Sequence, residues 1–203
     1  VMDQATGYVK GIVGGRGEKT ASLSLNRATD TNRQPGSTFK IVSTYAPALD
    51  SAGMTLASTQ YDAPYFYANG TGKEVRNANR RYGGWTSYRQ GIMNSTNIVA
   101  VKTLTDITPE VGAAYVQNFG ITTLQTQPDE SGNVDITQSM ALGGLTKGVK
   151  NIELTAAFAT IANGGVYTEP VFYTRILDHD GNVLIDNTTS YTKTVLKEST
   201  AWL

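Results

Sequence analysis

The stretch Gln34-Pro35-Gly36-Ser37-Thr38-Phe39-Lys40 determines how this 203-residue chain is interpreted. It places a hydroxyl and an amine three residues apart at the start of a predicted helix, so both side chains lie on one helical face. A serine hydroxyl is a weak nucleophile that needs a neighbouring base, and lysine serves as one when burial lowers its pKa. The stretch therefore predicts acyl transfer, with Ser37 as nucleophile, Lys40 as base and the Ser37 backbone N–H facing an oxyanion.

The Ser-x-x-Lys spacing is not specific by itself. Ser190-Tyr191-Thr192-Lys193 repeats it in a polar stretch. A serine at the start of a helix also commonly serves as its N-cap. The alternative interpretation is therefore that Ser37 caps a helix and that Lys40 is solvated.

A second pattern, Ser95-Thr96-Asn97, lies between two predicted helices. A connection between helices can present side chains to a cleft, where a second hydroxyl relays a proton and a carboxamide holds a substrate amide. The Ser-x-Asn spacing also occurs at Ser24 and Ser131. Capping of the following helix by Ser95 or Thr96 is the alternative interpretation.

In chain order, these two patterns and Ala141-Leu142-Gly143-Gly144-Leu145-Thr146-Lys147-Gly148-Val149 resemble the transpeptidase domain of class A penicillin-binding proteins. The resemblance covers nearly the whole chain, from Met2-Asp3-Gln4-Ala5-Thr6-Gly7 to Ala162-Asn163-Gly164-Gly165-Val166-Tyr167. It implies an α+β fold of the penicillin-binding and serine β-lactamase type. That fold has a mostly helical subdomain and the first strands of an antiparallel sheet.

The resemblance also implies a function, a peptidoglycan D,D-transpeptidase that cross-links stem peptides ending in D-Ala-D-Ala. By position, Ser37 becomes the nucleophile, which β-lactam antibiotics also acylate, and Lys40 becomes its base. Ser95 becomes the proton relay, and Asn97 a ligand of the substrate amide. The implied location is the extracytoplasmic face of the bacterial cell membrane, with the anchor outside this chain.

The chain departs from the family pattern at the third motif. The tripeptide Lys-Thr/Ser-Gly is absent, since Thr146-Lys147-Gly148 has these letters in another order. We therefore expect residues 1 to 203 to form a single incomplete transpeptidase domain. Its third motif and remaining sheet strands would lie in a C-terminal continuation, in the same or a separate chain. On that expectation, this portion alone is not a competent enzyme.

Other proteins share the first two motifs. A class A serine β-lactamase needs a glutamate that activates the deacylating water, and only Glu153 comes near by position, at a predicted helix start. A D,D-carboxypeptidase would use the same residues as a transpeptidase. A non-catalytic penicilloyl-binding sensor is the alternative from another class of function, and the stretch from Gly143 to Gly148 favours the transpeptidase over it.

Composition restricts the functions further. A formal net charge of zero and the lack of a basic run argue against a nucleic-acid partner. The only histidine, His179, lies in a predicted hairpin turn, which disfavours a Ser-His-Asp triad. One histidine and no cysteine disfavour a metal site, and the predicted chemistry requires no cofactor.

Periodicity and turn residues predict the element order. Helices are expected over residues 37 to 52, 86 to 93, 97 to 105, 109 to 118 and 151 to 162, with another from about 195. Hairpins are expected over residues 1 to 13 and 171 to 186, the second around Asp178-His179-Asp180-Gly181. Residues 55 to 85 predict an irregular loop, in which Tyr65-Phe66-Tyr67 and Arg80 to Trp85 could line a cleft beside Ser95.

Overall fold

The computed structural model describes residues 1–18, 20–68, 70 and 72–203. Its central element is a helical segment that begins as a 3₁₀ turn at Gly36–Thr38, continues as a π-helix at Ile41–Tyr45 and ends as α1, Ala46–Asp50. Pro47 explains the π-helix, because proline lacks the N–H that would donate to the carbonyl four residues earlier. The helix predicted over residues 37 to 52 is confirmed in position, but it has three helical forms.

This central segment is buried and packs against several other elements. Its fully buried side chains include Phe39, Val42, Tyr45 and Ala48. It contacts α3, Asn97–Ile107, α4, Pro109–Asn118, and a 3₁₀ helix at Gln138–Leu142. In α4, a Cβ at Gly112 would lie 2.5 Å from the Ser43 carbonyl oxygen, so only glycine permits this approach. The segment therefore gives the site a rigid support.

The remaining helices are α2, Tyr88–Met93, α5, Asn151–Ala162, and α6, Glu198–Trp202. The prediction for α5 is confirmed at both ends, and Gly120, with φ of +86°, follows α4 as predicted. The prediction that a helix starts at Thr86 is wrong, since Thr86 lies in a strand. The helix begins after Ser87, where Gln90 completes a capping box with bonds of 3.3 and 3.1 Å.

The described strands are short and form five antiparallel pairs. They are β1, Asn32–Arg33, with β6, Val149–Lys150; β2, Thr59–Asp62, with β5, Gly84–Ser87; β3, Tyr65–Phe66, with β4, Glu74–Val75; β7, Val166–Thr168, with β10, Thr192–Thr194; and β8, Arg175–Leu177, with β9, Val183–Asp186. In register, Asn32 faces Lys150 and Thr59 faces Ser87. Helices and antiparallel pairs together make the α+β class that the sequence predicts.

Two of the loop and hairpin predictions need correction. Residues 55 to 85 are not an irregular loop, because β2, β3, β4 and the start of β5 lie there. β2 pairs with β5 across Thr59 and Ser87, a separation that no short window spans, and β3 and β4 are two residues long each, so no local pattern indicated these strands. The N-terminal hairpin reduces to one bridge between Met2 and Val9, whereas β8 and β9 confirm the second hairpin from Arg175 onward.

Candidate active site

Ser37 lies on the surface, in the middle of the 3₁₀ turn Gly36–Thr38. The N-cap of this turn is Pro35, and no side chain caps it. Within the described part of the chain, the Ser37 hydroxyl makes no hydrogen bond. The interpretation of Ser37 as a helix cap is therefore wrong, and its hydroxyl is open to a reactant from solvent.

Lys40 is buried, with 2% of its surface exposed. Its Nζ lies 2.6 Å from the Ser95 carbonyl oxygen, 2.9 Å from Ser95 Oγ and 2.6 Å from Asn97 Oδ1. The structure thus brings together three of the four predicted site residues. It forms no hydrogen bond between Lys40 and Ser37, although both belong to one helical segment.

Burial also changes the acid–base behaviour of Lys40. Removing the ammonium from water disfavours its charged form, which lowers the pKa of Lys40 from 10.5 to about 8. At pH 7, about 10% of such a lysine is neutral, compared with about 0.03% of a free lysine. The buried amine is therefore a far more available base than a solvated one.

The hydrogen bonds of Lys40 suit a proton transfer. A neutral amine has two N–H donors and one lone pair. The two donors can serve the Ser95 carbonyl and Asn97 Oδ1, which accept but cannot donate. The lone pair is then left for a hydroxyl proton, and Ser95 Oγ lies within reach at 2.9 Å. The arrangement can pass a proton between Lys40 and Ser95.

Ser95 lies in the turn between α2 and α3 with φ of +52°, a region that costs a non-glycine residue about 1–2 kcal/mol. The Ser95 N–H donates to the Ile92 carbonyl at 3.1 Å, and the Thr96 N–H to the Gly91 carbonyl at 2.9 Å. Thr96 is the N-cap of α3 but makes no side-chain capping bond, and the Ser95 hydroxyl faces Lys40. The capping interpretation is therefore right for the position of Thr96, but neither hydroxyl of the motif makes a capping bond.

The Asn97 carboxamide is held in one orientation. Its Oδ1 accepts from Lys40, and its Nδ2 donates to the Arg76 carbonyl at 2.7 Å. A flipped amide would place a donor against the ammonium and an acceptor against the carbonyl, which is unfavourable at both ends. Arg76 therefore fixes which Asn97 atom faces Lys40.

Two buried residues that the sequence did not single out support this arrangement. Asn77 Oδ1 accepts from the Ile98 N–H at 3.2 Å, in the first turn of α3. Its Nδ2 donates to both Asp62 oxygens, at 2.8 and 3.0 Å, and to the Arg81 carbonyl at 2.9 Å. Because both side chains come from the segment predicted as a loop, no local pattern marked them.

The cleft predicted beside Ser95 is present in part. A cavity of about 280 Å³ is lined by Arg81, Tyr82 and Trp85 together with Asn94 and Thr96, which flank Ser95. The aromatic run at residues 65 to 67 does not line this cavity. Tyr67 instead borders a second cavity of about 570 Å³ beside Gly36, the residue before Ser37.

The competing candidates have other roles. Ser190 Oγ donates to the Thr6 carbonyl at 2.7 Å and Lys193 lies over the Tyr167 ring, so this Ser-x-x-Lys is a surface feature. Glu153 accepts from Thr122 Oγ1 at 2.6 Å at the start of α5. The His179 side chain is 89% exposed, and its Nε2 lies 3.1 Å from Asp180 Oδ1 in the same turn. Among the described residues, no group of three or more His, Cys, Asp or Glu side chains could hold a metal ion.

Comparison with known proteins gives the family. The family model "Penicillin binding protein transpeptidase domain" matches residues 1–203. The fold and this match define a transpeptidase domain, and the chain belongs to the penicillin-binding protein transpeptidase family.

Individual relatives agree with this assignment. The chain is 35% identical over 211 residues to penicillin-binding protein 1A of Clostridium botulinum, covering 100% of this chain and 24% of the relative. It is 37% identical over 201 residues to penicillin-binding protein 1F of Bacillus subtilis, covering 99% of this chain and 26% of the relative. The chain thus spans about a quarter of the length of these relatives.

Among solved structures, PonA1 of Mycobacterium tuberculosis in complex with penicillin V superposes with a TM-score of 0.82 at 21% identity. The match covers 98% of this chain and 51% of the PonA1 chain. At this identity the likeness concerns the fold, which is that of a penicillin-binding transpeptidase domain. No described helix of this chain is long and apolar enough to cross a membrane.

Proposed function

We propose that this chain carries the acylation half of a peptidoglycan D,D-transpeptidase site, with Ser37 as the nucleophile. The observation that carries the proposal is the buried Lys40 amine, 2.9 Å from Ser95 Oγ and 2.6 Å from Asn97 Oδ1. It lies three residues after an exposed serine whose hydroxyl has no described partner. Such a constellation is what nucleophilic acyl transfer by a serine requires.

In the proposed acylation, Ser37 Oγ attacks the carbonyl carbon of the penultimate D-Ala in a donor stem peptide, and its proton passes to neutral Lys40. The Ser37 backbone N–H donates to the developing oxyanion. As the C–N bond breaks, Lys40 returns the proton through Ser95 to the nitrogen of the leaving D-Ala. The product is an ester on Ser37, and an acceptor amine then attacks it and releases the serine.

The Lys40–Ser95 contact supports the second proton transfer, and the first requires Ser37 to approach Lys40 when substrate binds. Hydrogen bonds of this kind are often long in the absence of substrate and tighten in the reacting complex. Asn97 would bind the substrate amide through its remaining capacity, since Oδ1 and Nδ2 each use one bond in this structure. We propose both roles for Asn97, namely positioning of Lys40 and binding of the donor amide.

A β-lactam would react at the same serine, because its strained amide presents the same carbonyl to Ser37. Penicillin V in the PonA1 structure supports this for the fold. We further propose that the site lies on the extracytoplasmic face of the membrane. We also propose that the C-terminal remainder of the domain supplies the third motif and the remaining strands of this site.

The alternatives use the same acylation and differ in the fate of the ester on Ser37. A D,D-carboxypeptidase would pass the ester to water. A serine β-lactamase would need a deacylating carboxylate, and Glu153 is already engaged by Thr122 at 2.6 Å. A sensor module would retain the acyl group and perform no cross-linking. An ester that persists in water and is transferred to an amine would favour the transpeptidase over all three.

Intact mass spectrometry after exposure to a β-lactam tests the proposal, on the protein at the full length that its gene encodes. We expect an adduct of one drug mass on Ser37, lost in Ser37→Ala and retained in Ser190→Ala, which alters the other Ser-x-x-Lys serine. Incubation of the protein with a donor peptide ending in D-Ala-D-Ala and a D-amino acid acceptor then separates transfer from hydrolysis by the mass of the product. A folded protein that gains no adduct would overturn the assignment of Ser37.

A further inference from the structure

The loop Gly143–Gly148, which the proposed chemistry does not use, lies directly against the chain that leads into Ser37. β1 and β6 pair Arg33 with Val149. Where the pairing ends, a Cβ on Gly148 would lie 2.5 Å from the Arg33 carbonyl oxygen. A Cβ on Gly143 would likewise lie 2.5 Å from the Gly36 carbonyl oxygen. Both glycines have φ near +70 to +80°, so the loop needs glycine for its conformation and for the contact.

The Gln34 side chain joins the same two segments. Its Oε1 accepts from the Leu145 N–H at 2.9 Å, and its Nε2 donates to the Leu145 carbonyl. The amide thus makes the paired bonds that a neighbouring strand would make, and it adds a second connection beside the β1–β6 pair. The two residues are 111 positions apart in the sequence.

The loop itself is anchored in the interior by Asp135, which is 1% exposed. The Asp135 carboxylate accepts from the Thr146 N–H at 2.6 Å, from Thr146 Oγ1 at 2.7 Å and from the Gln125 N–H at 2.8 Å. Charge-assisted bonds of this kind are stronger than neutral ones. Leu145, the partner of Gln34, therefore belongs to a loop that is held in place.

On the other side, no described side chain of the Lys40 cluster bonds to Ser37. Lys40 bonds to Ser95 and Asn97, and the Thr38 hydroxyl donates only to the nearby Pro35 carbonyl. The direction of the Ser37 hydroxyl is therefore set by the backbone on both sides of it, namely the buried segment from Phe39 onward and the approach of the chain through residues 33 to 36. A displacement of about 1 Å at a reacting atom can cost on the order of 100-fold in rate.

We propose that Gln34 is a positioning residue. Its bidentate contact with Leu145 orients the Ser37 turn toward Lys40 and toward the acyl donor. The proposal rests on the proposed function of Ser37. In this proposal the Gly143–Gly148 loop is the rigid surface against which the chain before Ser37 packs. In this role Gln34 acts through the backbone that leads to Ser37 and not on the reacting atoms.

The test compares acylation rates with a fluorescent penicillin for the full-length protein, Gln34→Leu and Gln34→Glu. Gln60→Leu is the matched control, because Gln60 also bridges two segments, from β2 to Asp106 near the end of α3. We expect Gln34→Leu to lower the second-order acylation rate constant about 10- to 100-fold. Gln60→Leu should leave this rate constant within about twofold of the parent value. Its melting temperature should change by about as much as that of Gln34→Leu.

Gln34→Glu adds a readout that loss of stability alone would not produce. A carboxylate can accept from the Leu145 N–H but cannot donate to its carbonyl, whereas a protonated carboxyl does both. The ratio of the Gln34→Glu rate to the parent rate should therefore rise as the pH falls from 7 toward 5. Because Lys40 is unaltered in both proteins, its own titration cancels in this ratio.

The outcomes separate the two proposals. If the parent is acylated at Ser37 while Gln34→Leu and Gln34→Glu react at the parent rate, the positioning role is wrong and the proposed function stands. A pH-independent rate ratio for Gln34→Glu would equally overturn it. If Gln34→Leu does not fold, the pH dependence of the Gln34→Glu rate ratio decides whether Gln34 is a positioning residue. If the parent is not acylated, the proposed function falls, and the role of Gln34 in it falls as well.

Discussion

Replacement of Asn97 by aspartate gives the sharpest test of Lys40 as the base. The substitution keeps the shape of the side chain and places a carboxylate oxygen where Oδ1 now lies, 2.6 Å from the Lys40 Nζ, while its second oxygen replaces the donor to the Arg76 carbonyl. An opposite charge at this distance favours the protonated amine, so the pKa of Lys40 rises. The direction opposes the effect of burial, which lowers this pKa to about 8.

The magnitude can be worked from the usual effect of a neighbouring charge. A carboxylate within about 4–6 Å shifts a partner's pKa by about 1–3 units, which would bring Lys40 to about 9–11. At pH 7 the neutral fraction would fall from about 10% to between about 1% and 0.01%. If neutral Lys40 accepts the Ser37 proton, Asn97→Asp should slow acylation at pH 7 by about 10- to 1000-fold, and the rate should recover at higher pH.

The assay is the pH dependence of the acylation rate constant with a β-lactam, measured from pH 6 to 10.5 for the parent and Asn97→Asp. Asn94→Asp is the matched control, because it adds the same charge to an exposed position three residues earlier, where solvent screens it. The parent rate should rise tenfold per pH unit and level off near pH 8. An Asn97→Asp inflection that stays near pH 8, or a loss equal at every pH, would refute the role of Lys40 as base.

The same contacts support three further predictions. Ser95→Ala and Ser95→Gly should both slow acylation about 100- to 10,000-fold, but only the glycine variant should raise the melting temperature, because it relieves the positive φ; equal melting temperatures would contradict the strain. Asn77→Ala should destabilise the fold by about 1–3 kcal/mol in urea titrations, because it removes the Asn77 bonds to buried Asp62 and leaves the Ile98 N–H without its side-chain acceptor; a loss no larger than that of exposed Asn79→Ala would contradict this. Between about pH 8 and 10.5 the unfolded state binds more protons at Lys40, so the parent's unfolding free energy should rise with pH relative to Lys40→Met; parallel pH curves would contradict the lowered pKa.

Much of the helical framework could be predicted because its signals are local. The bounds of α5 and the stop after α4 could be read from the 3.6-residue period and from glycine at the helix ends. The predicted start of α2 was wrong because Thr86 pairs with Gln60 in a strand. No short window of sequence contains both residues. The pair β2–β5 was missed for the same reason, whereas β3 and β4 are two residues long each, too short to show an alternating pattern.

The same distinction between local and long-range information applies to the active site. The sequence by itself determined the four residue types, their order and the family to which they belong, because motif spacing is written into the chain. Tertiary structure decided that Lys40 bonds across 55 and 57 positions to Ser95 and Asn97 rather than to Ser37. It also decided that burial lowers the pKa of Lys40, and that Gln34 meets Leu145 across 111 positions. Burial and long-range hydrogen bonds depend on which distant segments pack together, and local spacing does not contain that information.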